Sequence, residues 1–177
     1  QQMGIKILLN SMYGAMANEY FQFFHNNTAE AITLSGQLTI QWAEKHVNKY
    51  LQKVMNDDKD RIIAIDTDSI YVCLDDFVNK FVDDTNAEKC TQFIDKMAQE
   101  AIEPVLEKCF DKLAKYLSAY DQKMVMKREV IASKVIFTGK KKYIANVINN
   151  EGVQYAKPKM KITGIESVRS STPQVCR

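Results

Sequence analysis

An α+β fold is predicted by three features of the 177-residue sequence. A long amphipathic segment over about 28–55 has the period of a helix. Two short β-rich apolar runs, 61–65 and 69–74, follow it directly and flank Asp66-Thr67-Asp68. Beyond residue 123, extended runs alternate with turn residues.

In chain order, Ile5, Leu8, Leu9, Met12 and Met16 repeat at helical spacing with no capping residue before them, so the chain is expected to open inside a helix. Residues 19–25 are aromatic and suit a short strand or turn. Asn27 or Thr28 is the expected N-cap of the long helix, with Glu30 placed for a capping box. That helix should run to about Met55 and bury Ile32, Leu38, Trp42, Val47, Leu51 and Val54. The acidic run 56–60 ends it, and the two apolar runs that follow form a hairpin, with the helix around Trp42 packed behind it. A further helix from about Asn86 carries Phe93, Ile94, Met97 and Ile102; Pro104 kinks it or starts another, which runs to about Ala119. Residues 123–137 and 142–147 are expected to be extended, with Thr138-Gly139 near a turn. Asn149-Asn150-Glu151-Gly152 suits a hairpin turn, with a return strand over 153–156. Ser171-Thr172-Pro173 has the pattern of a helix start. A helix already running at the first residue and another just beginning at the last predict a piece of something larger, truncated at both ends.

Composition is that of a globular domain, with 46% hydrophobic and 26% charged residues. No run approaches the roughly 20 apolar residues that span a bilayer, so no membrane is expected among its partners. Cys73, Cys90, Cys109 and Cys176 are widely spaced, form no CxxC pair and have only two histidines for company, which argues for reduced thiols rather than a zinc site. The net charge of +2 hides an asymmetry: residues 1–122 balance to −7, residues 123–177 to +9. A basic C-terminal third beside an acidic body suits a polyanion, although charge alone does not separate nucleic acid from a membrane surface.

The segment Ile62-Ile63-Ala64-Ile65-Asp66-Thr67-Asp68-Ser69-Ile70-Tyr71-Val72 carries the strongest chemistry. Aspartate is depleted in strands, yet two carboxylates stand here between apolar β runs. In extended chain a spacing of two puts them on one face, where they repel and need a cation. Oxygen donors without His or Cys select Mg²⁺, and Mg²⁺ held by few carboxylates shares substrate phosphates, so phosphoryl transfer is the natural chemistry. In Lys6-Ile7-Leu8-Leu9-Asn10-Ser11-Met12-Tyr13-Gly14, the residues Lys6, Asn10, Tyr13 and Gly14 share one helical face. There a cation can meet phosphate and a glycine lets a base pair approach. Thr138-Gly139-Lys140-Lys141-Lys142-Tyr143 suits a phosphate backbone, and Lys157, Lys159, Lys161 and Arg169 extend its positive region. Lys127-Arg128-Glu129 sets one carboxylate among extended apolar residues. Taken singly, a polar turn, a mixed helix face, a solvated basic turn and a salt-bridge carboxylate are the commoner explanations of these four segments.

Together, and in this order, they resemble family B DNA polymerases. The segment 6–14 is similar to the family's motif B, KxxxNSxYG. Asp66-Thr67-Asp68-Ser69 is similar to motif C, YGDTDS, and Lys141-Lys142-Tyr143 to the KxY motif. Residues 164–173, GIESVRSSTP, resemble the passage from palm to thumb. Segments 1–14, 31–50 and 161–173 are most similar to polymerases of T-even-type tailed phages. The resemblance implies a palm β-sheet with packed helices plus the C-terminal fingers helix. Residues 1–27 would be the end of the fingers and the return to the palm, 28–160 the palm with the motif C hairpin and KxY segment, and 161–177 the start of the thumb. It implies two Mg²⁺ ions in the complete site, with Asp68 the principal ligand, Asp66 its less direct neighbour, and Glu129 acting near the metals through water. Lys6 would meet the triphosphate with Asn10 nearby, and Tyr13 and Gly14 would face the nascent base pair. Lys140, Lys141, Lys142 and Tyr143 would hold the primer–template, and Arg169 the duplex backbone. Deoxynucleoside triphosphates, primer–template DNA and a sliding clamp for the full-length protein are the implied partners. The cytoplasm of an infected bacterial host is the implied location of this viral protein.

Three departures stand out. Ala64-Ile65 replaces the family's Tyr-Gly, Lys127 stands where relatives often carry an acid, and the segment between Glu129 and the lysines is short. The family's motif A aspartate, its sugar-selecting tyrosine and its exonuclease would precede residue 1, and the rest of the thumb would follow Arg177, so this chain alone is expected to be inactive. A degenerate palm that binds DNA without catalysis, or another palm-type polymerase such as a reverse transcriptase, are the competing readings.

Overall fold

The computed structural model describes residues 2–82, 86–168, 173 and 175, with side chains at all of these except Gln2, Asn10 and Ser167. The fold is α+β. Helix α1 (Gln2–Met16) leads through a turn-rich connection into α2 (Asn26–Met55). Strands β1 (Ile62–Asp66) and β2 (Ser69–Val72) form an antiparallel hairpin, followed by α3 (Asp75–Phe81), α4 (Ala87–Met97) and α5 (Glu103–Tyr116). Strands β3 (Val130–Gly139), β4 (Lys142–Asn150) and β5 (Val153–Thr163) make a second antiparallel sheet in sequential order.

Helix α2 begins one residue before the expected caps. His25 is the N-cap, its Nδ1 accepting from the Thr28 N–H at 3.2 Å, which leaves Asn27 and Thr28 inside the first turn. The helix stops at Asn56, which takes the left-handed conformation (φ 57°) that asparagine tolerates better than most residues. Thirty residues make a rod about 45 Å long, whereas the fourteen residues of α5 cover about 21 Å. Helix α5 therefore roofs only part of α2. Ala43, Val47 and Leu51 are buried there with Phe77, Leu106, Cys109 and Phe110, while Ile32, Leu38 and Val54, expected in the core, stay exposed. Trp42 lies at the edge of this core and donates its indole N–H to the Cys109 carbonyl at 3.2 Å. The hairpin closes the other side of the core with Ile62, Ile70 and Val72. Burial pushes the Cys109 thiol up to about 11, as suits an inert core residue.

Pro104 does not break the helix it sits in. It is the second residue of α5, which runs on directly from α4 through a widened turn. The turn before it, Ala98–Ile102, widens to a π-helical turn in which the Glu103 N–H reaches back to the Ala98 carbonyl. Of the segment 123–137 expected to be extended, residues 123–129 form no strand; β3 begins only at Val130. The β3–β4 turn falls on Lys140-Lys141, directly after Thr138-Gly139 as expected, with Lys141 at φ 60°. The β4–β5 turn is as expected: Glu151 and Gly152 both have positive φ, the type I′ geometry that matches strand twist. Strand β5 continues to Thr163, well past the expected Ala156. The helix start at 171–173 lies outside the described residues except for Pro173.

The hairpin is anchored by a buried cation. The Arg61 side chain is 1% exposed and grips Asp57 with both terminal nitrogens, at 2.8 and 2.6 Å. It also meets Asp76 at 3.2 Å and lies over the Phe77 ring. The hydrogen bond from Arg61 holds the Asp57 carboxyl at about 2, against an ordinary 3.8. A depressed carboxylate contributes stability that is complete above its unfolded value and is lost as pH falls through its folded one. Arg61→Met is therefore expected to lower the thermal midpoint by several degrees at neutral pH. That deficit should shrink between about pH 4 and pH 2. Scanning calorimetry of both proteins across pH checks this, and a deficit that stays constant down to pH 2 would show that Asp57 is not the partner that matters.

Candidate active site

The β1–β2 hairpin has two unlike faces. In its register Ile65 lies opposite Ile70 and Ile62 opposite Val72, and Ile62, Ile70 and Val72 pack into the core. Asp66 pairs with Ser69 and Ala64 with Tyr71, so Asp66, Ser69 and Tyr71 share the opposite face. A bulge between Ile62 and Ala64 allows both alignments and leaves Ile63 exposed.

The turn between the strands is tight. Thr67 has φ 51°, a conformation that costs a β-branched residue on the order of 1–3 kcal/mol. It is held by the Asp68 N–H and the Ser69 hydroxyl, both donating to the Asp66 carbonyl, at 2.6 and 3.0 Å. The Thr67 hydroxyl donates to the Asp66 carboxylate at 3.1 Å. The two carboxylates were expected on one face of an extended chain. Instead Asp66 ends β1 and Asp68 stands in the turn, because the left-handed Thr67 interrupts the period of two.

The end of the β3–β4 hairpin meets this turn. Lys141 Nζ lies 3.1 Å from the Asp66 carboxylate and donates to the Thr67 hydroxyl at 3.4 Å. The Tyr71 ring packs edge-on against Phe137 and Tyr143, with centroids at 5.3 and 5.6 Å. Burial first, and then the nearby Tyr143 hydroxyl, raise the Tyr71 hydroxyl. Burial also opposes ionisation of Tyr143, but hydrogen bonds with Thr163 and Tyr71 and the charge of Lys161 outweigh it and lower that hydroxyl. Lysine-bearing β5 lies beside β4, with Lys161 opposite Ala145 and Lys159 opposite Val147, on the face that carries Tyr143. Lys159 Nζ sits over the Tyr155 ring at 4.4 Å.

The expected site residues are thus only partly gathered. Asp66, Asp68, Lys141 and Tyr143 come together; Lys140 is exposed in the same turn, and Lys142 pairs with Glu166. Glu129 does not join them. It precedes β3, its carbonyl accepting from the Glu151 N–H at the far end of the hairpin, roughly 30 Å of strand from Lys141. Lys6, Tyr13 and Gly14 are exposed on α1, and among the described residues no hydrogen bond or ion pair joins them to the hairpin. The Asn10 side chain and all of Arg169 lie outside the described residues. Tyr71, Thr67 and Gly164 were not anticipated. Tyr71 had a signal, two residues beyond Ser69 on a strand; Gly164 had none beyond the end of a β run.

Asp66 and Asp68 supply hard oxygen donors of the kind that suits Mg²⁺, which takes few protein carboxylates and completes its shell with water and phosphate oxygens. Among the described residues no third His, Cys, Asp or Glu converges with them into a metal-binding group. The donor chemistry therefore fits Mg²⁺, with two carboxylates from the described residues.

A carboxylate turn is thus seated against a lysine–tyrosine strand end, in a chain whose family is shown by its relatives. The family model of DNA polymerase family B matches residues 1–176, and the chain belongs to that family. It is 40% identical over 186 aligned residues to the DNA-directed DNA polymerase of Escherichia phage RB69. It is 37% identical over 184 to that of Enterobacteria phage T4. Each alignment covers 98% of this chain, which spans about a fifth of either relative's length, at 20%. No helix among the described residues is long and apolar enough to cross a membrane.

Proposed function

We propose that this chain is a partial catalytic region of a longer polymerase that performs template-directed DNA synthesis, transferring a deoxynucleotide to a primer 3′-hydroxyl. The observation that carries the reading is the Asp66–Asp68 turn seated against the lysine–tyrosine end of β3–β4. In this reading 1–27 is the end of the fingers, 28–160 the palm and 161–177 the start of the thumb. Asp68 holds Mg²⁺ and Asp66 stands beside it. Two such ions, when bound, supply charge stabilisation for the attacking and leaving oxygens. Lys140, Lys141 and Lys142 draw the primer–template phosphates to the turn, and Tyr143 gives the strand a flat surface beside them. Arg169 holds the duplex backbone further along. Lys6 meets the triphosphate with Asn10 beside it, and Tyr13 and Gly14 leave room for the base pair. Glu129 enters through family likeness alone, since β3 carries it away from Asp66. The partners are primer–template DNA, deoxynucleoside triphosphates and a sliding clamp, in the cytoplasm of an infected bacterium. Membership in family B sets the reverse-transcriptase reading aside.

Primer extension by the full-length protein with Mg²⁺ and four deoxynucleotides is the direct test. Binding of primer–template without extension would support a degenerate binding module instead. Within the same assay, Lys6→Ala should raise the nucleotide concentration for half-maximal incorporation roughly tenfold or more, by loss of a charge-assisted phosphate contact. Its affinity for primer–template should not change. An unaltered nucleotide dependence would remove Lys6 from the site.

A further inference from the structure

The two aspartates of the turn are not electrically equivalent. Asp66 has a lysine ammonium 3.1 Å from its carboxylate and accepts from the Thr67 hydroxyl. Asp68, one residue past the left-handed Thr67, is exposed and makes no side-chain hydrogen bond or ion pair among the described residues. The lysine is placed by backbone geometry as well as by charge. Lys141 has φ 60°, and Gly164, at φ 68°, passes so close beneath it that a Cβ there would collide with the Lys141 carbonyl oxygen. Gly164 follows Thr163, which pairs with Tyr143 across β4–β5. The turn is therefore seated from below by a residue that must lack a side chain, and from the side by the Tyr71–Tyr143–Phe137 cluster.

We propose that Lys141 is a latch on Asp66 that couples primer–template binding to metal binding. In the DNA-free protein the ammonium neutralises Asp66, so the turn presents the charge of Asp68 alone. When a primer–template lies along the basic strand end, the Lys141 ammonium moves to the nucleic acid and the Asp66 carboxylate becomes available as a second oxygen donor. The turn then carries two negative charges at the moment when a phosphate-bearing substrate is present to share the cation. The latch keeps like charges from facing each other in the empty protein. Linkage makes it reciprocal: whatever factor DNA adds to metal affinity, metal adds to DNA affinity. Gly164 acts as a positioning residue, fixing where the latch sits. The proposal rests on the polymerase reading above and adds an order of events to it.

The test is Mn²⁺ binding to the full-length protein, followed by electron paramagnetic resonance, with the relevant site defined as the binding lost in Asp68→Ala. Without DNA, Lys141→Ala should bind Mn²⁺ at that site roughly five- to tenfold more tightly than the parent, because a cation a few ångströms away is removed. Lys141→Arg, which keeps the charge, should match the parent. Adding a primer–template duplex should tighten the parent's site by a similar factor and leave Lys141→Ala unmoved. Gly164→Ala keeps the lysine but unseats its turn, and should shift DNA-free Mn²⁺ affinity in the direction of Lys141→Ala. Unchanged affinity in DNA-free Lys141→Ala, or an equal response to DNA in both proteins, overturns the latch while the loss in Asp68→Ala preserves the metal assignment. Full Mn²⁺ binding by Asp68→Ala overturns that assignment and the latch together.

Discussion

In the full-length polymerase, Asp68→Ala is expected to reduce single-turnover nucleotide incorporation by roughly 10³-fold or more. Primer–template affinity should stay within about twofold, because the electrostatic contacts that dominate it are elsewhere. Two features of the turn separate these effects. Asp68 is exposed and its side chain makes no hydrogen bond or ion pair among the described residues, so its loss leaves no orphaned buried partner and the hairpin keeps its apolar face in the core. The phosphate contacts proposed for duplex binding come from lysines on β4, β5 and the β3–β4 turn, which the substitution leaves in place. On the proposed reading, what would be lost is an oxygen donor to a cation whose charge matters most in the transition state of phosphoryl transfer, so the penalty falls on rate rather than on affinity. Rapid-quench incorporation beside a DNA-binding titration measures both. Near-normal single-turnover incorporation would sink the assignment of Asp68.

Local pattern foretold the hairpin and the helices because each is written in neighbouring residues. The apolar runs around Asp66-Thr67-Asp68 predict β1 and β2, and Asn86 marks the start of α4 by accepting from the Glu88 N–H as an N-cap should. What failed to be legible was long-range or steric. The period of α2 marks Ile32 and Leu38 as apolar, but nothing in it says that α5 is too short to reach them. The spacing of Asp66 and Asp68 suggests one face only while the chain stays extended, and the left-handed Thr67 is invisible in a spacing rule. The union of Asp66 with Lys141 joins residues 75 apart in sequence; charge pattern identifies each as interesting and neither as the other's partner. Gly164 carries no pattern at all, since its role is the absence of a Cβ beneath Lys141.

The 177-residue chain alone is expected to show no template-directed synthesis, poor solubility, and weak DNA binding without sequence preference. The turn offers two carboxylates, and among the described residues no third acidic or metal-binding side chain converges on them. The chain spans a fifth of its relatives' length, and the family resemblance implies a further metal-binding aspartate in the remainder. On that reading a triphosphate meets no complete metal site in the chain alone. Solubility follows from surface chemistry. Met3, Leu8 and Leu9 are 72%, 70% and 62% exposed on α1, with Tyr20 and Phe23 exposed just beyond it. Apolar area of that extent promotes association unless something covers it. DNA binding should survive both defects, because Lys140, Lys157, Lys159 and Lys161 stand on strands and turns far from α1 in sequence and act by charge. Each phosphate neutralised adds to the salt dependence, so affinity should fall steeply between low and physiological salt. Primer extension with Mg²⁺ and four deoxynucleotides, run beside a filter-binding salt titration, decides the matter. Sustained template-dependent extension by the purified chain would show that the site is complete within these residues, and salt-insensitive binding would remove the basic strands from the DNA interface.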